Sequence, residues 1–250
     1  MPSHVARRAG PVPKRVLVLD IGGSNVKIAL SRQRIEQKIP TGPTMTPGRM
    51  MRAVMRAVRG ERFDAVAIGF PGLVRAGRIV GEPPNLGRGW VGFDFERVLR
   101  RPTRVVNDAA LQALGAYRGG RMLFLGLGTG LGTAMVLDGS LAPMELAHLP
   151  YKKGREYEHF AGEAGMLRLG RRKWQKEVFD IVARLYTALE PDYIMIGGGN
   201  ARRLKALPPH SLRGDNRDSI TGGERLWNEA RVRRLARLPP PRVPSAPHRP

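Results

Sequence analysis

The segment Leu123–Leu137, LFLGLGTGLGTAMVL, constrains this chain more than any other stretch: an apolar strand runs into four alternating glycines and leaves at once as a second strand. A turn so stripped of side chains lets another group approach the backbone. Gly126, Gly128, Gly130 and Gly132 offer successive N–H groups and Thr129 adds a hydroxyl, which suits an anion such as phosphate. A dinucleotide fingerprint is excluded, because Leu131 and Thr133 stand where its third glycine belongs and the residues after the loop alternate like a strand instead of opening a helix. A tight hairpin without a ligand is the alternative this loop alone leaves open.

A second loop of the same kind lies near the N-terminus. Val16–Asp20 is a short strand-forming run, Ile21-Gly22-Gly23-Ser24-Asn25 turns, and Val26–Leu30 is another strand. This hairpin adds Asp20 at the strand end and Lys27 just past the turn. A carboxylate there suits a hydrated Mg²⁺, which needs only one or two protein oxygens, and Lys27 suits phosphate charge. An ordinary hairpin with a turn-capping Asp and a solvated Lys is the plain alternative. Two such hairpins form a weak internal repeat and suggest two lobes that clamp a phosphate chain between them.

The chain carries 43 Lys and Arg against 21 Asp and Glu, a net charge of +22. Residues 1–15 and 231–250 hold ten of those cations and no acid, yet the body between them stays strongly basic. Such a body attracts polyanions of any kind in a salt-dependent way. Only 6% of residues are aromatic and none of the basic clusters is interleaved with them, which does not favour nucleic acid as the partner. Cysteine is absent, so disulfides and thiolate metal sites are excluded. No apolar run has the length of a membrane span or of a signal-peptide core, and the expectation is a cytoplasmic protein with no membrane partner.

The order of elements is mixed α/β. Pro47–Arg59 has helical spacing at Met51, Val54, Met55 and Val58; Phe63–Phe70 reads as a buried strand, and 72–92 as a Gly- and Pro-rich connection. Arg104–Asn107 reads as a strand with Asp108 capping a helix over Ala109–Tyr117. Lys173–Leu189 is a long amphipathic helix, and Tyr193–Ile196 a strand entering Gly197, Gly198 and Gly199. Residues 1–15 and 237–250 read as disordered basic tails.

With these pieces placed, the chain from about Val16 to Trp227 resembles the ROK family of sugar kinases, most closely its polyphosphate glucokinase branch. Asp20-Ile-Gly-Gly-Ser-Asn-Val-Lys27 is similar to the first phosphate motif and Leu127–Gly132 to the second. Gly69-Phe-Pro-Gly72 and Pro83-Pro-Asn85 with Trp90 resemble the sugar-binding segment, and Val105-Val-Asn-Asp108 the segment carrying the catalytic aspartate. Glu145-Leu-Ala-His148 resembles the Glu-x-Gly-His sugar clamp, and Ile194–Gly199 the adenosine-side loop.

The resemblance implies a two-lobed α/β fold of the actin-like ATPase (ribonuclease H-like) type with a cleft between lobes 16–108 and 109–236, the last helix packing back on the first lobe. It makes Asp108 the catalytic base. Asn85, Asn107, Asp108, Glu145, His148 and Glu158 become sugar ligands. Asp20, Gly22, Gly23, Ser24, Lys27, Gly128, Thr129 and Gly130 take the phosphates, and Gly197–Gly199 the nucleotide. Asp20 would hold Mg²⁺, through water. The implied activity is phosphorylation of a hexose, glucose at O6, by polyphosphate or ATP, in a homodimer. Without Cys the zinc motif that many members place after the clamp His cannot form, so no zinc is expected. A strictly ATP-dependent hexokinase of other specificity, and a non-catalytic polyanion binder with this fold, are the alternatives. Ala147 departs from the clamp's usual Gly, and two readings of its methyl stay open: that it crowds the hexose, or that it points into packing.

Overall fold

Apolar strands joined by hairpins and by crossovers between parallel neighbours generate two sheets of the same design. The computed structural model describes residues 12–31, 36–215 and 217–244. β1 (Val16–Ile21) and β2 (Asn25–Leu30) pair antiparallel, β3 (Glu36–Pro40) extends them, and α1 (Pro47–Ala57) crosses over to place β4 (Ala65–Phe70) parallel to β1. A short hairpin of β5 (Val74–Arg75) and β6 (Arg78–Ile79) and the small helix α2 (Phe95–Leu99) lead to β7 (Thr103–Asn107), parallel to β4. The sheet order is β3-β2-β1-β4-β7.

After α3 (Asp108–Ala116) the plan repeats. β8 (Arg121–Leu127), β9 (Leu131–Leu137) and β10 (Ser140–Met144) form the antiparallel meander. Helices α4 (Glu158–Ala161), α5 (Glu163–Leu169) and α6 (Arg171–Leu189) cross to β11 (Tyr193–Gly197), parallel to β8, and β12 (Ser211–Arg213) lies parallel to β11. The order β10-β9-β8-β11-β12 matches the first sheet position for position, so the weak repeat in sequence is a duplicated topology. The helices α7 (Asp218–Leu226) and α8 (Glu229–Ala236) follow. Strands β1 and β4 are buried along their whole length, as parallel strands covered on both faces must be. Helix α1 buries Met50, Met51 and Val54; Met55, expected on that face, is exposed. No helix among the described residues is long and apolar enough to cross a membrane.

Helices α3 and α7 lie between the sheets. Leu111 of α3 packs with Val16, Val18 and Ala67 of the first sheet, whereas Ala109, Ala110 and Ala113 pack with Met122, Phe124 and Ala134 of the second. The two helices touch backbone to backbone. A Cβ on Gly115 would lie 1.7 Å from the Asp218 carbonyl oxygen, and one on Gly222 would lie 1.9 Å from that of Leu111. Arg225 seals the contact: its half-buried guanidinium donates to the carbonyls of Leu114, Gly115 and Tyr117 at the C-terminal end of α3, where a cation also complements the helix dipole. Trp227 Nε1 donates to the Val66 carbonyl and Arg104 stacks on the Trp227 ring at 4.4 Å. The return to the first sheet is therefore made by α7 and the residue after it, and the last helix, α8, instead seats Val232 in the core of the second sheet.

The C-terminal segment corrects one expectation. Disorder was expected from residue 237 on, yet the Pro244 carbonyl accepts the His210 N–H and Val243 packs against the second sheet's core. The prolines that deny this segment a helix leave its carbonyls free to accept, and Val243 supplies the apolar anchor. Residues 1–11 and 245–250 of the expected tails lie outside the described residues.

Because α3 and α7 approach at backbone distance, Gly222→Ala is expected to destabilise the fold by about 3 kcal/mol or more through forced separation of the helices. Thermal or denaturant unfolding checks this, with Gly128→Ala, whose Cβ would meet nothing within 4 Å, as the comparison.

Candidate active site

Three backbone features converge at the first turn of α3. Asp20, at the end of β1, sits beside Gly69 of β4 in the parallel register. Gly69 in turn lies against Asp108, a Cβ there being 3.2 Å from the Asp108 Cα. On the other side, Gly132 of the second glycine hairpin lies against Ala109. Asp108 is thereby wedged between the sheets with Asp20 on one flank and the second hairpin on the other.

Capping of α3 falls to Asn107, whose Oδ1 accepts the N–H groups of Ala109 and Ala110 at 3.0 and 3.2 Å. The expectation that Asp108 is the cap is corrected: it occupies the first helical position, where its Oδ1 accepts only the adjacent Ala109 N–H. Asn107 has the extended backbone a cap requires, and its Nδ2 also donates to the Gly72 carbonyl, tying the Gly69–Gly72 turn to the helix start.

The half-buried Asp108 carboxyl is pushed up to about 7. Burial is the largest cause, followed by the charge of Asp20 and, more weakly, that of Glu145, against the Ala109 N–H that favours the ionised form. Asp20 is itself buried and is compensated by Lys27, Nζ to Oδ2 3.2 Å. A carboxylate held near neutral proton affinity in a cleft is matched to accepting a proton from a hydroxyl.

The expected sugar ligands divide. Asn85 is exposed and packs on the first hairpin, with Gly23 close against its side chain. Glu145 lies near enough to Asp108 to raise its proton affinity, and His148 Nε2 is 4.0 Å from Glu145 Oε2. The stronger partner of His148 is Glu156, Nδ1 to Oε2 2.8 Å, and this bond, with the surrounding carboxylates, raises the imidazole's proton affinity. Glu158 lies instead over the second hairpin: its Oε2 accepts the Leu131 N–H at 3.2 Å and occupies the space that a Cβ on Gly130 would need.

The phosphate-side residues Gly22, Gly23 and Ser24 form one open turn, and Gly128, Thr129 and Gly130 the other, with Ser24 and Thr129 exposed. Gly197 ends β11 and Gly198 and Gly199 follow it, and Asn200 Nδ2 donates to the Gly128 carbonyl at 3.1 Å, joining this loop to the second hairpin. Among the described residues no group of three or more His, Cys, Asp or Glu side chains is placed to hold a metal. A hydrated Mg²⁺ fits this chemistry, since one buried carboxylate such as Asp20, waters and donor oxygens satisfy it.

Two side chains, Glu82 and Glu156, escaped the sequence reading, and Trp90 and Ala147 lie in packing. Glu82 accepts the N–H groups of Gly89, Trp90 and Val91 and so shapes the segment that carries Asn85; an acid before two prolines gives no hint of that. Trp90 is fully buried against Phe70 and Phe95, which makes it packing beneath the segment. Glu156 is the partner of His148, and only the close return of the 150–156 loop reveals it. Ala147 is buried in the core beneath the second sheet, with its methyl in packing.

The ROK family profile matches residues 16–143, just over half of the chain. The polyphosphate glucokinase of Mycobacterium leprae (strain TN) is 27% identical over 213 residues, which is 76% of this chain and 65% of that protein. Among solved structures, the inorganic polyphosphate/ATP-glucomannokinase of Arthrobacter sp. strain KM superposes with a TM-score of 0.73 at 24% identity, covering 87% of this chain and 98% of that one. A ROK family glucokinase from Streptomyces griseus in complex with glucose and AMPPNP superposes with a TM-score of 0.67 at 19% identity, covering 85% and 98%. Both likenesses establish the two-lobed actin-like ATPase fold.

A base is active when deprotonated, so kcat/KM is expected to fall about tenfold per pH unit below about 7 and to level off above it. Asp20→Asn removes the like charge and is expected to move that limb to lower pH; a limb that stays put in the variant's pH profile separates Asp108 from the titration.

With its methyl in packing, Ala147→Gly is expected to lower stability by up to about 1 kcal/mol and to leave the preference among glucose, mannose and glucosamine unchanged. Kinetics with the three sugars and a melting curve check both halves.

Proposed function

Because the chain belongs to the ROK family and its relatives there make it a sugar kinase, we propose that it phosphorylates glucose at O6, with Mg²⁺ and with polyphosphate as well as ATP as donor. The observation that carries the reading is Asp108: a carboxyl pushed up to about 7, at the start of a helix wedged between two sheets, with Asp20 on one flank and the second glycine hairpin on the other. Phosphoryl transfer to a hydroxyl needs a base at the attacking oxygen and neutralisation of charge at the phosphates, with little covalent chemistry besides.

In this reading the lobes 16–108 and 109–236 close on glucose. Asp108 accepts the 6-hydroxyl proton, and Asn85, Asn107, Glu145 and His148 hold the remaining hydroxyls. Glu156 fixes the His148 ring, so that its other nitrogen faces the sugar. Glu158 acts more indirectly, by setting the second hairpin. The two open turns, at 22–24 and 128–130, cradle the donor phosphates with Lys27, while Gly197–Gly199 receive the adenosine when ATP is the donor. Mg²⁺ supplies charge neutralisation, held by Asp20, in large part through water. A homodimer belongs to the same reading and is checked by light scattering.

Glucose is favoured by the resemblance to the polyphosphate glucokinase branch and by the lack of any cysteine for a zinc motif. Polyphosphate is favoured by the charge, since a long anionic donor engages cations well beyond the transferred group and the chain carries a net +22.

The experiment is a coupled assay that crosses glucose, mannose and N-acetylmannosamine with ATP and polyphosphate over a range of salt. Glucose is expected to give the highest kcat/KM, and the polyphosphate KM to climb steeply with salt while the glucose KM stays flat. Asp108→Asn is expected to cut turnover at least about a hundredfold with glucose binding retained. Sugar phosphate from ATP alone at every ionic strength rejects the polyphosphate donor, and parental turnover in the Asn variant rejects the base.

A further inference from the structure

Away from the reacting groups, two surface elements meet at the donor side and carry six cations. Asn200 anchors the first: its N–H donates to the Leu127 carbonyl at 2.8 Å and its Nδ2 to that of Gly128, so the turn Ala201–Arg203 starts against the hairpin that bears Thr129. The second begins at the same hairpin. The Glu163 N–H donates to the carbonyls of Gly128 and Thr129, and α5 then runs seven residues, about 10 Å, to the start of α6. The two surfaces are stitched together, Arg171 donating to the Arg203 carbonyl at 3.1 Å and the Lys205 N–H to Gln175 Oε1 at 2.8 Å.

Arg171, Arg172 and Lys173 stand on one element and Arg202, Arg203 and Lys205 on the other, all exposed. None of them forms an ion pair among the described residues. The nearest acid along α6, Glu177, is already engaged by Tyr151 and Lys152. Arg172 and Lys176 add a like-charge pair four residues apart. An uncompensated group of cations at this density repels itself and concentrates anions. The one aromatic side chain in the segment, Trp174, is buried with its Nε1 bonded to the Ala161 carbonyl, so no ring is offered for base stacking.

We propose that these six side chains form a track for the distal part of a linear polyphosphate chain whose end lies at the Gly128–Gly130 turn, an inference that rests on the donor reading above. Short donors end before the track; long ones run along it. Chain length therefore sets affinity through residues that never touch the transferred phosphoryl group.

The test uses the full chain and two readouts: anisotropy of fluorescently labelled long-chain polyphosphate, and KM values for long-chain polyphosphate, tripolyphosphate, ATP and glucose. The track variant is Arg172→Gln/Arg202→Gln/Lys205→Gln, three cations whose side chains make no hydrogen bond among the described residues. The control, Arg52→Gln/Arg56→Gln/Arg59→Gln, removes the same charge from and just after α1. The track variant is expected to weaken long-chain binding at least about tenfold and to flatten its salt dependence by about two in log–log slope. Its tripolyphosphate, ATP and glucose constants are expected to stay at parental values. Equal weakening in the control, or none in the track variant of a parent that transfers phosphate from polyphosphate, overturns the track and leaves the donor reading standing. A parent that neither binds the chain nor uses it, while working on ATP, overturns both. An equal loss of binding to a single-stranded oligonucleotide of matched charge marks a general polyanion surface and overturns the assignment to polyphosphate.

Discussion

Helices α3 and α7 meet so closely that Gly115 and Gly222 each face a carbonyl of the other helix with no room for a methyl group, and the placement of the Asp108 carboxyl depends on that contact. Were the helices held apart by ordinary side chains, α3 would be pushed toward one sheet or the other. Gly69 and Gly132, which now lie against Asp108 and Ala109, would no longer both reach it. Alanines on α3 let two sheets share one helix, and Arg225 fastens its far end by taking three carbonyls that a helix terminus leaves unpaired. The guanidinium does so while half-buried, and this partial desolvation lowers its own proton affinity. Three carbonyl partners offset that penalty, since a buried charge is tolerated only where hydrogen bonds replace water.

Electrostatics in the cleft has the opposite character. Asp20 and Asp108 flank one glycine, so two carboxylates compete for charge in a place with little water. Lys27 satisfies Asp20, and Asp108 is left to hold its proton until about neutral pH. Burial and the Asp20 charge disfavour the ionised form relative to water, which brings its proton affinity to the range a general base requires.

Beyond His148 the chain has to build a rigid loop with no cysteine to hold a metal. It does so with side chains. The Tyr151 hydroxyl lies between Glu177 and Asp180, its one proton shared by the two carboxylates, Lys152 pairs with the same two acids, and Arg184 completes the group from α6. The Tyr151 ring packs on Tyr157 and Phe160, so one residue is fixed at both ends. Partly exposed ion pairs of this kind are individually weak, yet tied through one phenol they hold the segment that brings Glu156 back to His148.

Much of this was legible in the sequence. The two glycine hairpins, the long amphipathic helix over Arg171–Leu189, the buried β4 and the strand into Gly197–Gly199 follow from periodicity and turn chemistry, which act over a few residues. Asp20 and Asp108 stand out as acids at the ends of strand-forming runs, and Lys27 as a cation just past a glycine turn. What no local pattern determines is which side chain meets which across the chain. Asn107 takes the cap because its backbone is extended and its amide reaches Gly72, a partner far away in sequence. Glu156 partners His148, while Glu158 turns to Leu131 and Gly130, because the loop closes on itself after Pro150. Ala147 points into packing, and Val243 and Pro244 bind a core that the composition of their segment does not announce. Local propensity is written into neighbouring residues. Contacts such as that between Gly115 and Gly222 exist only once both sheets are in place, and the site depends on those contacts.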